Sequence, residues 1–247
     1  MSPLRVEEHD GVAVLTMDRP PVNATDVETL DALTEAFEAA EDAKAIVLTG
    51  AGRVFSAGAD LQRVLNGGPE YIEAGIDALT RCFKALFTLP RPVVAAINGH
   101  ALAGGCVLGC GCDYGVISPA ARIGAIEHAA GVPFPAWALE LVRFGVNNEH
   151  AAEVILFGRA YDAATAREMG IVDEVADGDV LGRGLDVAHE LGSIPARTFA
   201  ITKRSLRHAT VEAADRLAEA TDDEVKRQWC SDEVLTAIRA QLDSLRA

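Results

Sequence analysis

Short apolar runs alternate with longer helix-like stretches over the first half of the chain. Residues 45–50 (AIVLTG) and 92–99 (PVVAAING) are continuous and rich in β-branched side chains, which predicts buried strands. Residues 4–17 alternate between apolar and polar positions about a His-Asp-Gly turn, which predicts two short strands. Residues 113–118 (DYGVIS) predict a further strand, and residues 122–124 a very short one. Strands mixed with helices in this order indicate an α/β fold.

The segments between these predicted strands show helical periodicity, which also predominates in the second half of the chain. Thr25 or Asp26 is placed to cap a first helix, which carries Leu30, Leu33, Phe37 and Ala40 on one face. An Asn-Gly-Gly-Pro break at residues 66–69 precedes a second predicted helix at about 71–89. Beyond Gly131 we predict helices at residues 137–144, 149–157, 163–169 and 180–191, followed by three helices in the last fifty residues.

Composition narrows the classes of function. The 247 residues suffice for one large domain or one domain with an appendage, and the net charge of −15 argues against nucleic acid or an anionic membrane surface as partner. An anionic ligand would therefore need local arginines or lysines. The charged first ten residues lack the apolar segment of a secretory signal, and no apolar run reaches the length of a membrane span.

Cysteine usage points to a reducing compartment. The five cysteines form no disulfide framework, and Cys106, Cys110 and Cys112 lack the paired spacing of structural zinc sites. We therefore expect buried, unpaired thiols, no metal, and a cytoplasmic location.

Two glycine-bearing turns carry the strongest chemical signal. Residues 55–60 (FSAGAD) and 98–106 (NGHALAGGC) each follow a predicted strand and lead toward a helix. Such turns leave backbone N–H groups free, and glycine lets the backbone approach a ligand closely. Two N–H groups that converge on one oxygen would stabilise the negative charge that develops on a thioester or acyl oxygen. Motifs of nucleotide-binding folds and of serine hydrolases are missing from the sequence.

Five segments in order resemble the crotonase family, also called the enoyl-CoA hydratase/isomerase superfamily. These are residues 18–24 (DRPPVNA), 55–61 (FSAGADL), 91–106 (RPVVAAINGHALAGGC), 112–118 (CDYGVIS) and 157–175 (FGRAYDAATAREMGIVDEV). The resemblance implies a spiral of repeated β-β-α units over residues 1–190, with the acyl-CoA site. It further implies a C-terminal all-helical region over residues 191–247 that forms a homotrimer or hexamer. The implied substrate is an acyl-CoA thioester, and no cofactor is implied because coenzyme A is part of the substrate.

The resemblance also assigns roles to residues. The N–H groups of Ala59 and Gly104 would form the oxyanion hole. The remaining substrate contacts would come from Ala57, Gly58, Asp60, and, toward the coenzyme end, Ala24 and Arg53. Arg63 is a second candidate for the phosphates. Asp60 is also well placed as a plain helix cap.

The number of glutamate carboxylates at the site distinguishes between two possible reactions. Hydratases of this family resemble one another in using two glutamates to activate water, and here Val107 occupies the first position while Glu127 occupies the second. One base suits the transfer of a proton from the α- to the γ-carbon of a 3-enoyl thioester. Residues 124–137 (GAIEHAAGVPFPAW) resemble the delta-3,delta-2-enoyl-CoA isomerases, which implies an acyl pocket lined by Val107, Val132, Phe134 and Trp137. Trp137 fits ordinary core packing equally well.

Several alternatives remain open at this level. Apolar neighbours of Glu127 would raise the pKa of its carboxyl toward neutral pH. His128 is expected to be a hydrogen-bonding neighbour, and Glu70 or Glu73 could supply a second acid. Besides an isomerase in fatty acid metabolism, the residues allow a hydratase, another crotonase-type reaction such as a lyase, or a non-catalytic acyl-CoA-binding protein.

Overall fold

The computed structural model describes residues 2–244, except for the side chain of Glu41. The first half of the chain contains strands and helices in alternation. They are β1 (Leu4–His9), β2 (Val12–Met17), α1 (Val27–Ala39), β3 (Ala45–Gly50), β4 (Val54–Ser56), α2 (Leu61–Thr88), β5 (Val93–Ile97), β6 (His100–Leu102), α3 (Gly104–Gly111), β7 (Tyr114–Ile117) and β8 (Arg122–Gly124).

The second half is mostly helical. After a short 3-10 helix at Glu127–Ala130 come α4 (Ala136–Phe144), α5 (Ala151–Phe157), β9 (Tyr161–Asp162), α6 (Ala163–Glu168), β10 (Glu174–Val175), α7 (Val180–Gly192), α8 (Ala196–Trp229) and α9 (Asp232–Ser244). The domain boundary predicted at residue 190 falls inside α7. None of the helices within residues 2–244 is long and apolar enough to span a membrane.

Two sheets are built from successive β-β-α units. The larger sheet has the order β1-β2-β3-β5-β7-β10, and the smaller one has the order β4-β6-β8-β9. Each of the pairs β3/β4, β5/β6 and β7/β8 gives one strand to each sheet, and α2 and α3 follow the first two pairs. All pairings are parallel except β1 with β2 and β8 with β9. This architecture confirms the predicted α/β fold with its repeated β-β-α units.

The central strands are buried on both faces, as their continuous apolar runs predicted. Along β3, Ile46 and Leu48 pack into the main core with helices α1 to α4, whereas Val47 faces the opposite side and packs beneath α7. Side chains of a strand alternate between the two faces of its sheet, so a strand covered on both sides needs apolar residues at every position.

The structure corrects three predictions of local structure. The short strands β4, β6, β9 and β10 were not predicted, because two or three residues are too few to show a period. The break at residues 66–69 is a kink at Gly68, which has a φ of 70°, within α2. Residues 198–244 form nearly the whole of one 34-residue helix and a second helix, where three helices were predicted.

Helix α8 is attached to the core by buried charges. Asp113, which follows α3, accepts from Lys203 Nζ at 2.6 Å and from Arg207 Nη2 at 2.8 Å. Arg207 also donates to the carbonyl oxygens of Phe87, Gly111 and Cys112. It thus satisfies carbonyl groups at the ends of α2 and α3, which have no partner within their helices. Burial lowers the pKa of Lys203 to about 8, against the opposing pull of Asp113.

We predict that Arg207→Met lowers the free energy of unfolding by about 3–5 kcal/mol, because it strips a buried carboxylate of one partner and leaves three carbonyl oxygens without a donor. Urea denaturation measures the change. Arg204→Met is the matched control, because Arg204 is exposed on the same helix, and it should change stability by less than about 0.5 kcal/mol. Equal effects of the two substitutions would contradict this assignment.

Candidate active site

Three neighbouring strands of the smaller sheet end at the same edge. Strand β6 lies between β4 and β8 and runs parallel to both, with Ser56 opposite Ala101 and Leu102 opposite Gly124. The two glycine turns therefore follow the carboxyl ends of β4 and β6, and Glu127 follows the carboxyl end of β8. The carboxyl edge of parallel strands is where α/β folds commonly place their ligands.

The two glycine turns are in direct contact. A Cβ atom on Gly58, whose φ is +82°, would lie 2.7 Å from the Cβ of Ala103 and 3.0 Å from the nitrogen of Gly104. A Cβ atom on Gly104 would lie 3.6 Å from the Cα of Gly58. Only glycine at position 58 combines this backbone angle with so close an approach.

Two backbone amides at this contact are free to bind a ligand. Ala59 lies between β4 and α2, and Gly104 is the first residue of α3, where N–H groups have no acceptor within the helix. Neither amide donates in the loop hydrogen bonds of the part of the chain that the structure describes. Ala103, which caps α3, has a φ of 48°, a strained angle for a residue with a side chain. Such a pair of amides can hold an oxygen that carries negative charge.

A cavity of about 320 Å³ opens beside these amides. Four of its lining residues carry polar side-chain groups, namely Thr25, Glu127, Trp229 and Gln241. The others are apolar or glycine: Val22, Ala57, Ala59, Leu61, Leu79, Phe83, Leu102, Ala103, Gly104, Val107, Ile126, Ala130, Val132, Pro135 and Ala138. Among these lining residues, Glu127 holds the sole carboxyl group. The volume and the mostly apolar lining are typical of small-molecule sites.

Glu127 is a buried acid without a compensating cation. Glu127 is the first residue of the short 3-10 helix and is 8% exposed. Its Oε2 atom has no hydrogen-bond partner among the described residues. Burial raises the pKa of the carboxyl to about 8, against the opposing effect of its own backbone amide. A group with this pKa can both accept and return a proton near neutral pH.

Val107 faces the same cavity from α3, one turn after Gly104. Residues three apart on a helix lie on the same side, so Val107 and the Gly104 amide border one space. The isopropyl group of Val107 neither accepts a proton nor orients a water molecule. The cavity therefore combines one carboxyl group with an apolar surface at the position where the resemblance places a second glutamate in hydratases.

The structure brings together part of the predicted site. Ala57, Ala59, Gly104, Val107, Glu127 and Val132 line the cavity. Phe134 and Trp137 are not among the residues that line it. Phe134 packs edge-on against His128, and Trp137 packs against Phe87 and donates to Asp215 at 3.2 Å. The aromatic lining comes instead from Phe83 and Trp229.

The predicted coenzyme contacts lie outside the cavity lining. Asp60 caps α2 and accepts from the backbone of Arg63 at 3.0 Å. The guanidinium of Arg63 pairs with Asp26 at 2.8 Å and Glu28 at 2.6 Å, so its charge is already balanced. Arg53 is exposed and forms no ion pair within the described residues, and Ala24 is buried.

The other titratable candidates do not line the cavity either. Glu70 and Glu73 are exposed on α2. His128 is also exposed, and its Nδ1 lies 3.1 Å from the carbonyl oxygen of Leu156. Within residues 2–244, no three His, Cys, Asp or Glu side chains are grouped so as to hold a metal ion.

Sequence reasoning missed the contribution of the C-terminal helices. Trp229, at the end of α8, and Gln241, on α9, both line the cavity, and Trp229 Nε1 donates to the carbonyl oxygen of Pro133 at 2.9 Å. Helix α9 packs against α2 and the 3-10 helix that begins with Glu127. A tryptophan isolated among charged residues was the one available signal of such a contact.

Comparison with known proteins agrees with this geometry. The family model described as enoyl-CoA hydratase/isomerase matches residues 7–237. The chain belongs to the enoyl-CoA hydratase/isomerase family. Its architecture is thus the crotonase fold, and an acyl-CoA substrate is consistent with this membership.

Relatives of this family member include both isomerases and hydratases. It is 29% identical to mouse mitochondrial enoyl-CoA delta isomerase 1, over 96% of this chain and 84% of the mouse protein. It is 34% identical to a putative enoyl-CoA hydratase of Thermus thermophilus, over 81% of each chain. The crystal structure of human mitochondrial delta3-delta2-enoyl-CoA isomerase superposes with a TM-score of 0.91 at 28% identity, covering 99% of this chain and 98% of the human one.

We predict that Glu127→Gln stabilises the ligand-free protein increasingly as pH rises. The carboxyl ionises near pH 4.5 in the unfolded chain but near pH 8 in the fold, so the parent loses stability between these values and glutamine does not. The advantage of the variant should grow by roughly 1–4 kcal/mol from pH 5 to pH 8 in denaturation curves.

Glu140→Gln is the matched control for that measurement. Glu140 is equally buried, but it lies outside the cavity with Arg143 at 3.5 Å. Its substitution should bring no stability gain that grows with pH. A constant difference between Glu127→Gln and the parent over this pH range would show that the Glu127 carboxyl is not desolvated.

Proposed function

We propose that this enzyme isomerises 3-enoyl-CoA thioesters to the conjugated 2-enoyl-CoA, with Glu127 as the single proton shuttle. The observation that carries the proposal is the composition of the cavity. One buried carboxyl group borders a space that also holds two free backbone amides, and the other lining residues include no second acid.

Each step of the proposed reaction uses a group that lines the cavity. The thioester oxygen accepts hydrogen bonds from the N–H groups of Ala59 and Gly104, which form an oxyanion hole and make the C2 protons more acidic. The carboxylate of Glu127 removes one C2 proton, and the electron pair of that bond moves into a dienolate whose charge lies on the thioester oxygen. The Glu127 carboxylic acid then returns the proton to C4, so that the double bond moves from C3–C4 to C2–C3.

The environment of Glu127 suits both halves of this transfer. A pKa of about 8 makes the carboxylate a stronger base than an ordinary glutamate, while the acid formed still donates readily. The apolar lining keeps water away from the dienolate, which would otherwise take its proton from solvent. Because the proton moves within one substrate, no redox cofactor is required.

Hydration fits the same cavity less well. Addition of water needs a group that holds and activates it, and Val107 offers none. Asp60 is committed to capping α2, and Glu70 and Glu73 are exposed outside the cavity. Contact of Arg53 with the coenzyme phosphates, assembly into a homotrimer or hexamer, and a cytoplasmic location are further proposals that rest on the resemblance.

We predict that Glu127→Gln lowers kcat for 3-enoyl-CoA isomerisation by about 10³-fold or more, because glutamine cannot accept the C2 proton. Absorbance of the conjugated product measures the rate, and calorimetry should find acyl-CoA affinity within a few-fold of the parent. In the parent, kcat/KM should rise with pH and level off near pH 8, where Glu127 becomes ionised. Undiminished turnover in the variant would eliminate Glu127 as the base.

We predict that Val107→Glu confers hydration of 2-enoyl-CoA, because a second carboxylate then faces the same space as Glu127. Val107→Gln is the control, since glutamine has the same length and cannot act as a base. Loss of the conjugated absorbance should be at least about tenfold faster with glutamate than with glutamine, in line with the usual effect of a general base. Equal rates would mean that the absence of a carboxylate at position 107 does not decide between isomerisation and hydration.

A further inference from the structure

Unsatisfied polar atoms draw attention to a second side chain in the cavity. Among the described residues, the buried side-chain atoms without a hydrogen-bond partner are Thr25 Oγ1, Glu127 Oε2 and Tyr161 OH. Both Thr25 and Glu127 line the catalytic cavity. Buried polar atoms are nearly always hydrogen-bonded, so two exceptions at one cavity indicate groups whose partners arrive with a ligand. The proposed reaction accounts for Glu127 and leaves Thr25 unexplained.

Thr25 contacts both glycine turns. Its backbone N–H donates to the carbonyl oxygen of Gly58 at 2.9 Å. A Cβ atom on Gly104 would lie 2.9 Å from Thr25 Oγ1, which puts the hydroxyl group directly against this glycine. The hydroxyl therefore lies beside Gly104, the residue whose N–H would help to hold the thioester oxygen.

Among the described residues, Thr25 Oγ1 has no hydrogen-bond acceptor. The carboxylate of Asp26 is occupied by the backbone and hydroxyl of Thr29 and by Arg19 and Arg63. Glu127 does not pair with Thr25 either, because Thr25 Oγ1 has no hydrogen-bond partner among the described residues. Both unsatisfied groups are thus available to a ligand in the cavity.

We propose that the Thr25 hydroxyl donates a third hydrogen bond to the thioester oxygen of the bound acyl-CoA, beside the amides of Ala59 and Gly104. This assignment rests on the proposed function, in which the thioester oxygen lies between the amides of Ala59 and Gly104. The hydroxyl hydrogen rotates freely about the C–O bond, so it can turn toward an oxygen that gains charge in the dienolate. A donor aimed at developing charge acts in the transition state more than in the bound substrate.

The first test compares Thr25→Val with Thr25→Ser. Valine fills the volume of threonine without the hydroxyl, whereas serine keeps the hydroxyl. We expect kcat for 3-enoyl-CoA to fall about 10- to 100-fold in Thr25→Val and to stay within about threefold of the parent in Thr25→Ser. The melting temperature of ligand-free Thr25→Val should not fall, because an unsatisfied buried hydroxyl has been removed. Equal turnover in both variants and the parent would overturn the proposal.

A second test needs no turnover. Difference infrared spectroscopy measures the stretching frequency of the thioester carbonyl in saturated, carbonyl-¹³C-labelled hexanoyl-CoA bound to each protein. Binding should lower this frequency in the parent and in Thr25→Ser, and should lower it less in Thr25→Val. A parent that fails to isomerise 3-enoyl-CoA but shows this pattern would refute the proposed reaction and support the role of Thr25.

Two other outcomes overturn the role of Thr25. Identical carbonyl frequencies in the parent and Thr25→Val would mean that the hydroxyl does not reach the thioester. It would then be satisfied by water in the adjoining small cavity of about 40 Å³, which Thr25 also lines. Failure of the parent to bind hexanoyl-CoA at all would overturn both this assignment and the proposed function.

Discussion

The close approach of two backbone turns, at Gly58 and Gly104, is the constraint on which the rest of the site depends. Strands β4 and β6 are only three residues long, yet their parallel pairing brings the turns that follow them to one edge. With a side chain at position 58, the turns would have to move apart, and the distance between the amides of Ala59 and Gly104 would change. Strand β8 extends the same edge and delivers Glu127 to the other side of the cavity.

The desolvation of Glu127 costs stability and supplies chemistry. A buried carboxyl group without a cation is held in its neutral form, and its pKa of about 8 measures that cost. The same desolvation makes the group a stronger base. The buried charges at α8 are arranged differently, because Asp113 lies against two cations, Lys203 and Arg207, and serves to fix α8.

Sequence reasoning succeeded where local pattern and local chemistry coincide. The apolar runs of β3 and β5 have no other stable placement than a sheet covered on both faces, and glycine turns after strands predict exposed amides. Sequence reasoning failed where contacts between distant segments of the chain determine the structure. Lys203 and Arg207 resemble surface residues in a sequence but are buried, so the length of α8 was not recognised. Trp229 and Gln241 line the cavity although they lie more than 100 residues after the glycine turns at Gly58 and Gly104. No local pattern predicts such a contact.

The most direct test of the account follows the proton itself. A 3-enoyl-CoA that carries deuterium at C2 is converted in ordinary water, and the position of the label in the product is read by nuclear magnetic resonance. A single carboxyl group in a mostly apolar cavity predicts that a substantial part of the deuterium appears at C4. Complete replacement of the label at C4 by solvent hydrogen, or a product that has gained water, would contradict a single shuttle at Glu127.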